Sequence, residues 1–197
     1  IPDLAVPLQR LRVEGLAWSS QELLAGAQLL AASRTIRDAL RDPRYPAVSL
    51  ALLRAYADAL IALPAQEAAI SRAIADDASV RDEASPVLAR VRRDLRRMEG
   101  ELVRLLEREM SKLESHHQAA DLSVTMRNGR WVMPMRRGAR GYVGGIVHDT
   151  SSTGETVFVE PPAAVEFGNR VRELELEEQR EVERVLRELT DGLRPFH

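Results

Sequence analysis

The sequence predicts a mainly α fold with one small antiparallel β element. It reads as a helical core segment followed by two long antiparallel helices joined by a β tip. Three observations carry this reading. Two narrow apolar stripes at helical spacing run through densely charged sequence, around 86–113 and 162–189. Between them lies a stretch of β-formers holding an Asn-Gly dipeptide. Ahead of both, shorter helical runs are punctuated by proline. The expected divisions are 1–82 for the helical core segment, 83–121 for the outgoing helix, 122–160 for the β tip and 161–197 for the returning helix.

The first helix begins at Ser19, whose spacing to Glu22 is that of a capping box. Leu23, Leu24, Ala27, Leu30, Ala31 and Leu40 follow at helical intervals, and Pro43 and Pro46 end the run. A second helix is expected over about 47–62, through Val48, Leu52, Leu53, Tyr56 and Leu60. Pro64 closes that stretch, and a third short helix carries Ile70 and Ile74.

The outgoing long helix starts with Ser85 as cap and Pro86 in the first turn. Leu88, Val91, Leu95, Met98, Leu102, Leu106, Met110 and Leu113 form its stripe over about 34 residues, hence about 51 Å at 1.5 Å per residue. The four-residue steps at Leu102, Leu106 and Met110 resemble a coiled-coil stutter. The returning helix follows Pro161 and Pro162, with Val165, Val171, Leu174, Val182, Val185 and Leu189 as its stripe. Stripes this narrow suit one partner helix each, and the simplest partner is the other arm.

Between the arms, LSVTM and RWVMPM flank Asn128-Gly129, the pair that suits a tight hairpin turn. GGIVHD and ETVFVE make two further short strands around the turn from Thr150 to Gly154, while Gly138, Gly141, Gly144 and Gly145 loosen the link between the pairs.

Composition narrows the function classes. The chain has 197 residues, 45% apolar and 29% charged, which suits a folded and largely helical protein. No run approaches the roughly 20 apolar residues of a membrane span, so no membrane partner is expected. The start has neither an initiator Met nor a signal-peptide layout, and both ends read as the interior of a longer chain. The absence of Cys excludes disulfides and thiolate metal sites, and a cytoplasmic location is expected. Lys112 is the only lysine among 28 cationic residues. A GC-rich coding sequence explains that bias most simply, although the planar guanidinium also suits phosphate.

The net charge of −2 means that anion binding must come from local clustering. From Val124 to Val147 the cations are Arg127, Arg130, Arg136, Arg137 and Arg140, and no acid occurs. Such clusters bind phosphate backbones through counterion release, with little sequence preference. These five arginines are therefore the candidate nucleic-acid contacts. Asn128, His148, Ser151, Ser152 and Thr153 join them as further loop contacts, although Ser, Thr and Gly also make ordinary turns. Trp131 and Tyr142 offer rings for base stacking or for packing inside the hairpin. Strand alternation places Arg130 on the face opposite Trp131.

His116, His117, Asp121, His148 and Asp149 are metal-ligand types, but the first two, as helix neighbours, are expected to point apart, so no metal site is assigned. No phosphate-binding Gly-x-x-x-x-Gly-Lys-Ser/Thr loop and no Gly-x-Ser-x-Gly elbow occur. No catalytic residue and no cofactor are expected within these residues.

TMRNGRWVMPM, followed by GGIVHDTSSTGETVFVEPPAAVEFGNRVRELELEEQREVERVLREL, resembles the middle region of the second bacterial MutS-like family, whose members carry a small MutS-related nuclease domain at the C-terminus. SVRDEASPVLARVRRDLRRMEG matches as well, and the resemblance covers the chain from about residue 8 onward. Thr125, Arg127, Gly129, Arg130, Val132, Pro134, Gly145, His148, Asp149, Ser151, Gly154, Thr156, Phe158, Glu160 and Pro161 fall in the family pattern. Gly168 departs from it, standing where the family usually has the first of two asparagines. The resemblance implies MutS-type core and lever domains with a reduced clamp at the lever ends. It also implies a homodimeric parent protein that uses ATP and Mg, binds branched or duplex DNA, suppresses recombination and in some bacteria separates stalled ribosomes. Its ATPase and endonuclease domains would lie beyond His197, so neither activity is expected of these residues. Three readings stay open: DNA binding by the clamp, binding of ribosomal RNA or protein by the same arms, and a purely structural role in dimerisation.

Overall fold

The computed structural model describes residues 3–42, 44, 51–119 and 123–196. Helices α1 (Ala5–Arg10), α2 (Ser20–Arg41), α3 (Ala51–Ala57) and α4 (Pro64–Ala73) precede the long helix α5 (Pro86–Ser111). Strands β1 (Thr125–Arg127) and β2 (Arg130–Arg136), a short helix α6 (Arg140–Val143), and strands β3 (Ile146–Thr150) and β4 (Thr156–Glu160) lead to the second long helix α7 (Pro162–Asp191). The fold is mainly α with one four-stranded antiparallel sheet, in the order β1-β2-β4-β3. Two compact units emerge, Ile1–Ala89 with Gln179–His197, and Arg90–Glu178.

In the first unit the predicted start signal is present: Ser19 Oγ accepts from Glu22 N–H, and the Glu22 carboxylate accepts in return from Ser19 N–H. The capped α2 brings Leu23 and Ala27 against Trp18, Ile70, Ile74, Leu88 and Val185. Pro64 stands at the start of α4, where its missing N–H has no partner to lose. Pro43, Pro46 and Val48 lie outside the described residues. Leu53 and Tyr56 of the expected second helix are exposed rather than part of a core stripe.

Thr190, fully buried, fastens the two chain ends of this unit. Its Oγ1 accepts from Trp18 N–H at 2.9 Å and donates to the Leu186 carbonyl at 2.7 Å. Ser85 caps α5 by accepting from Leu88 N–H at 2.9 Å, and its hydroxyl donates to Glu181 at 2.5 Å.

The second unit has its own core. Leu102, Leu106 and Leu113 pack with Ala164 and Val171 of α7 and with Met133, Met135, Val157 and Val159 of the sheet. At the other end of this pairing Arg92 Nε meets Glu178 at 2.7 Å, so α5 and α7 run antiparallel. The four-residue steps read as a stutter therefore serve a sheet as well as a helix. Broadening the apolar face from Leu102 onward gives the strands something to cover. Helix α5 is also shorter than the expected run. It spans 26 residues, about 39 Å, and gives way to a turn from Lys112 onward.

Candidate nucleic-acid interface

The β1–β2 turn forms as the sequence predicts. Arg127 faces Arg130 across a two-residue loop, with Asn128 at φ 51° and Gly129 at φ 74°. Two successive positive φ values are what a hairpin matching the right-handed twist requires, and Asn-Gly is the pair that adopts them most readily. Strand alternation then sorts the side chains. Trp131 packs with Met133 and Met135 on the helix-facing core, while Arg130 lies on the opposite face.

That opposite face is curled. β1 and β3 are the two edges of a four-stranded sheet, and a flat sheet would hold them roughly 14 Å apart at about 4.8 Å per strand. Yet Asn128 Nδ2 donates to the His148 carbonyl at 2.7 Å, and Arg127 Nε lies 3.3 Å from Asp149 Oδ2. The β1–β2 hairpin therefore folds over the sheet toward β3. Its closure lays the Arg127 guanidinium 4.4 Å above the centre of the Phe158 ring, a favourable cation–π position. A register shift between Val147 and Asp149 supplies the local bend in β3.

A buried carboxylate completes the closure. Glu160 is 2% exposed and its Oε2 accepts from His148 Nε2 at 2.7 Å. Its Oε1 lies 3.5 Å from Arg130 Nη1, and both Nη atoms of Arg130 also donate to Asn169 Oδ1 on α7 at 3.0 Å. Gly168 lies against this ion pair. A Cβ there would stand 2.5 Å from Glu160 Oε1 and 3.1 Å from Arg130 Nη1, so the backbone of α7 itself makes room for the ion pair.

The five candidate arginines thus divide. Arg127 and Arg130 are braced against Asp149 and Glu160, acids that lie outside the acid-free span but come beside it through the curl and through β2–β4 pairing. The cluster is uncompensated in sequence but only partly so in space. Arg136, Arg137 and Arg140 are exposed, and among the described residues none of the three meets a carboxylate. Arg136 Nε donates to the Gln118 carbonyl at 3.2 Å. Arg137 N–H donates to the backbone carbonyl of Glu155 at 2.8 Å, which seats it beside the Ser151–Gly154 turn.

Arg137 and Arg140 stand three residues apart on a helical turn, hence on one face. The glycine-rich link expected to be loose is this turn, and it is held because Ala139 is fully buried in the core. Asn128 and His148 belong to the closure. Ser151, by contrast, sits in the turn, where its hydroxyl accepts from Thr156 N–H at 3.1 Å and lies 3.3 Å from that of Thr153. Ser152 and Thr153 are exposed.

His116 and His117 do not point apart. They occupy a turn beyond α5, not a helix, and their ring centres are 3.9 Å apart. Among the described residues no three His, Asp or Glu side chains gather as metal ligands, and Asp121 lies outside those residues. No described helix is long and apolar enough to cross a membrane.

Fold and site together define a helical scaffold bearing a curled antiparallel sheet, with three arginines at one end that meet no carboxylate among the described residues. The chain is 72% identical over its whole length to Endonuclease MutS2 of Gemmatimonas aurantiaca, of which it spans 24%. It is 37% identical over 95% of its length to Endonuclease MutS2 of a Geobacillus species, again spanning 24% of that protein. A third relative, Endonuclease MutS2 of Pelotomaculum thermopropionicum, is 39% identical over 91% of the chain, which covers 22% of it. No protein-family model matches the chain. The chain matches a fragment of a MutS2 protein and spans roughly a quarter of the length of these relatives.

Proposed function

We propose that this chain is a lever-and-clamp region of a MutS-type DNA-binding protein and that it grips DNA phosphates through Arg136, Arg137 and Arg140. One observation supports this above the others: in a chain of net charge −2, three exposed arginines without carboxylate partners among the described residues gather at one end of the sheet. The arginine fork matches phosphate geometry, and displacement of condensed counterions supplies the binding free energy. Ser151, Ser152 and Thr153 line the turn beside Arg137 and add hydroxyl donors. Arg127 and Arg130 serve this reading indirectly, by holding the curl. The long helices α5 and α7 are the levers, and the endonuclease activity in the relatives' name belongs to sequence outside this chain, as does the ATP- and Mg-dependent motor that the family resemblance implies.

The test is binding to duplex, branched and single-stranded DNA across a salt series, comparing the native chain with Arg136→Gln/Arg137→Gln/Arg140→Gln. Removing one arginine–phosphate pair should flatten the slope of log affinity against log salt by about one, so the triple variant should be flatter by about three. An unchanged slope contradicts the assignment. Tighter binding to matched RNA than to DNA at every salt concentration would overturn the DNA reading in favour of a ribosomal partner.

A further inference from the structure

Tyr142 is the most exposed large ring among the described residues, 78% accessible, and it stands two residues beyond Arg140. A phenol left this open has no packing role to explain it. One side of the ring is occupied, since the His117 ring centre lies 4.7 Å away with the planes tilted by 38°. His116 continues the series at 3.9 Å from His117. This row of rings is tied to the arginine strand: Arg136 N–H donates to the His117 carbonyl at 2.9 Å, and Gln118 bridges to Met135.

Beside Tyr142 opens a recess of about 420 Å³, walled by Leu113, His117, Val143, Pro161 and Pro162. Its bordering acids are engaged, Glu109 with Lys112 at 2.6 Å and Glu114 with His116 at 3.3 Å. A flat open ring, a partner ring behind it and an arginine, Arg136, tied through its backbone to that partner are the parts of a single-strand binding platform, where bases stack and phosphates are held electrostatically.

We propose that Tyr142, backed by His117, stacks on an unpaired nucleobase while Arg136 holds a neighbouring phosphate and Arg137 and Arg140, on the other side of the helical turn, hold phosphates farther along the strand. The inference rests on the phosphate reading above and adds a preference to it: unpaired bases over continuous duplex. In duplex DNA the faces of the bases are covered by their neighbours, so Tyr142 has nothing to stack on and only the arginines act.

The experiment compares a short fluorescent dT oligonucleotide with a matched duplex, using the native chain, Tyr142→Ala, Tyr142→Trp and the triple arginine variant. Tyr142→Ala should weaken dT binding about 5- to 100-fold, leave duplex binding within about twofold and leave the salt slope unchanged. Tyr142→Trp should retain dT binding, and bound dT should quench the new indole emission. Equal losses on both ligands, or no loss on dT, overturn the stacking role. The phosphate reading then still stands if the triple arginine variant loses affinity. Failure of the native chain to bind either ligand overturns both.

Discussion

A Cβ at residue 168 would stand 2.5 Å from Glu160 Oε1, so Gly168 and the buried carboxylate occupy adjoining space that no larger residue shares without displacement. Glu160 is the hub of the closure, joining His148 of β3 to Arg130 of β2.

Gly168→Ala should therefore destabilise the chain despite the better helix propensity of alanine. The gain in α7 is at most about 1 kcal/mol, whereas a charge-assisted hydrogen bond broken by moving Glu160 is worth about 1.5–3 kcal/mol. A net destabilisation of about 1 kcal/mol is expected in urea unfolding, by the difference of those two magnitudes. In a Glu160→Ala background the sign should reverse, because the closest clash is gone and the propensity is opposed only by the 3.1 Å approach to the movable end of Arg130. A Gly168→Ala effect of the same sign in both backgrounds contradicts this role for Glu160.

Thr190→Val keeps the shape of a fully buried side chain but removes the acceptor for Trp18 N–H. An unsatisfied buried amide costs about 1–3 kcal/mol, and the urea midpoint should fall accordingly. An unchanged midpoint would mean that another acceptor serves Trp18.

Glu181 sets an acid limit. The Arg184 guanidinium hydrogen-bonded to it, opposed by burial and reinforced by Ser85 Oγ, lowers its pKa from 4.5 to about 2. Because the folded-state value is depressed, its contribution to stability is complete above the ordinary value. That contribution is lost as pH falls from about 4.5 through about 2. Arg184 is half-exposed, so solvent screening reduces the effect to roughly 1–2 kcal/mol. Stability measured between neutral pH and the acid limit should fall less steeply in Glu181→Gln than in the native chain. Parallel curves would contradict the assignment.

Features written locally in the sequence are legible there. The Ser19–Glu22 cap, Pro64 at a helix start, Asn128-Gly129 in the hairpin turn and the stripes of α5 and α7 each depend on neighbours within a turn or two. The closure is not legible, because it joins strands far apart in sequence, and in the case of β1 and β3 strands that are not adjacent in the sheet. An acid-free span from Val124 to Val147 says nothing about Glu160, which reaches Arg130 through β2–β4 pairing, or about Asp149, which reaches Arg127 only once the hairpin folds over. In sequence, Glu160 is merely one position of a family pattern and Gly168 a departure from it. The structure brings the two within a single close approach. The segment from Arg137 to Val143 is hidden for another cause: its glycines advertise a loose loop, while the single buried Ala139 holds it as a helical turn.

The division of the arginines into a bracing pair and a binding trio is tested most directly by a paired measurement. Urea unfolding and the salt slope of DNA binding are measured on two variants, Arg127→Gln/Arg130→Gln and Arg136→Gln/Arg137→Gln/Arg140→Gln. The first should lose stability and, where it is folded, keep the native salt slope, while the second should keep its stability with a slope flatter by about three. The reverse pattern, with the slope flattened in the first variant and the stability reduced in the second, would contradict that division.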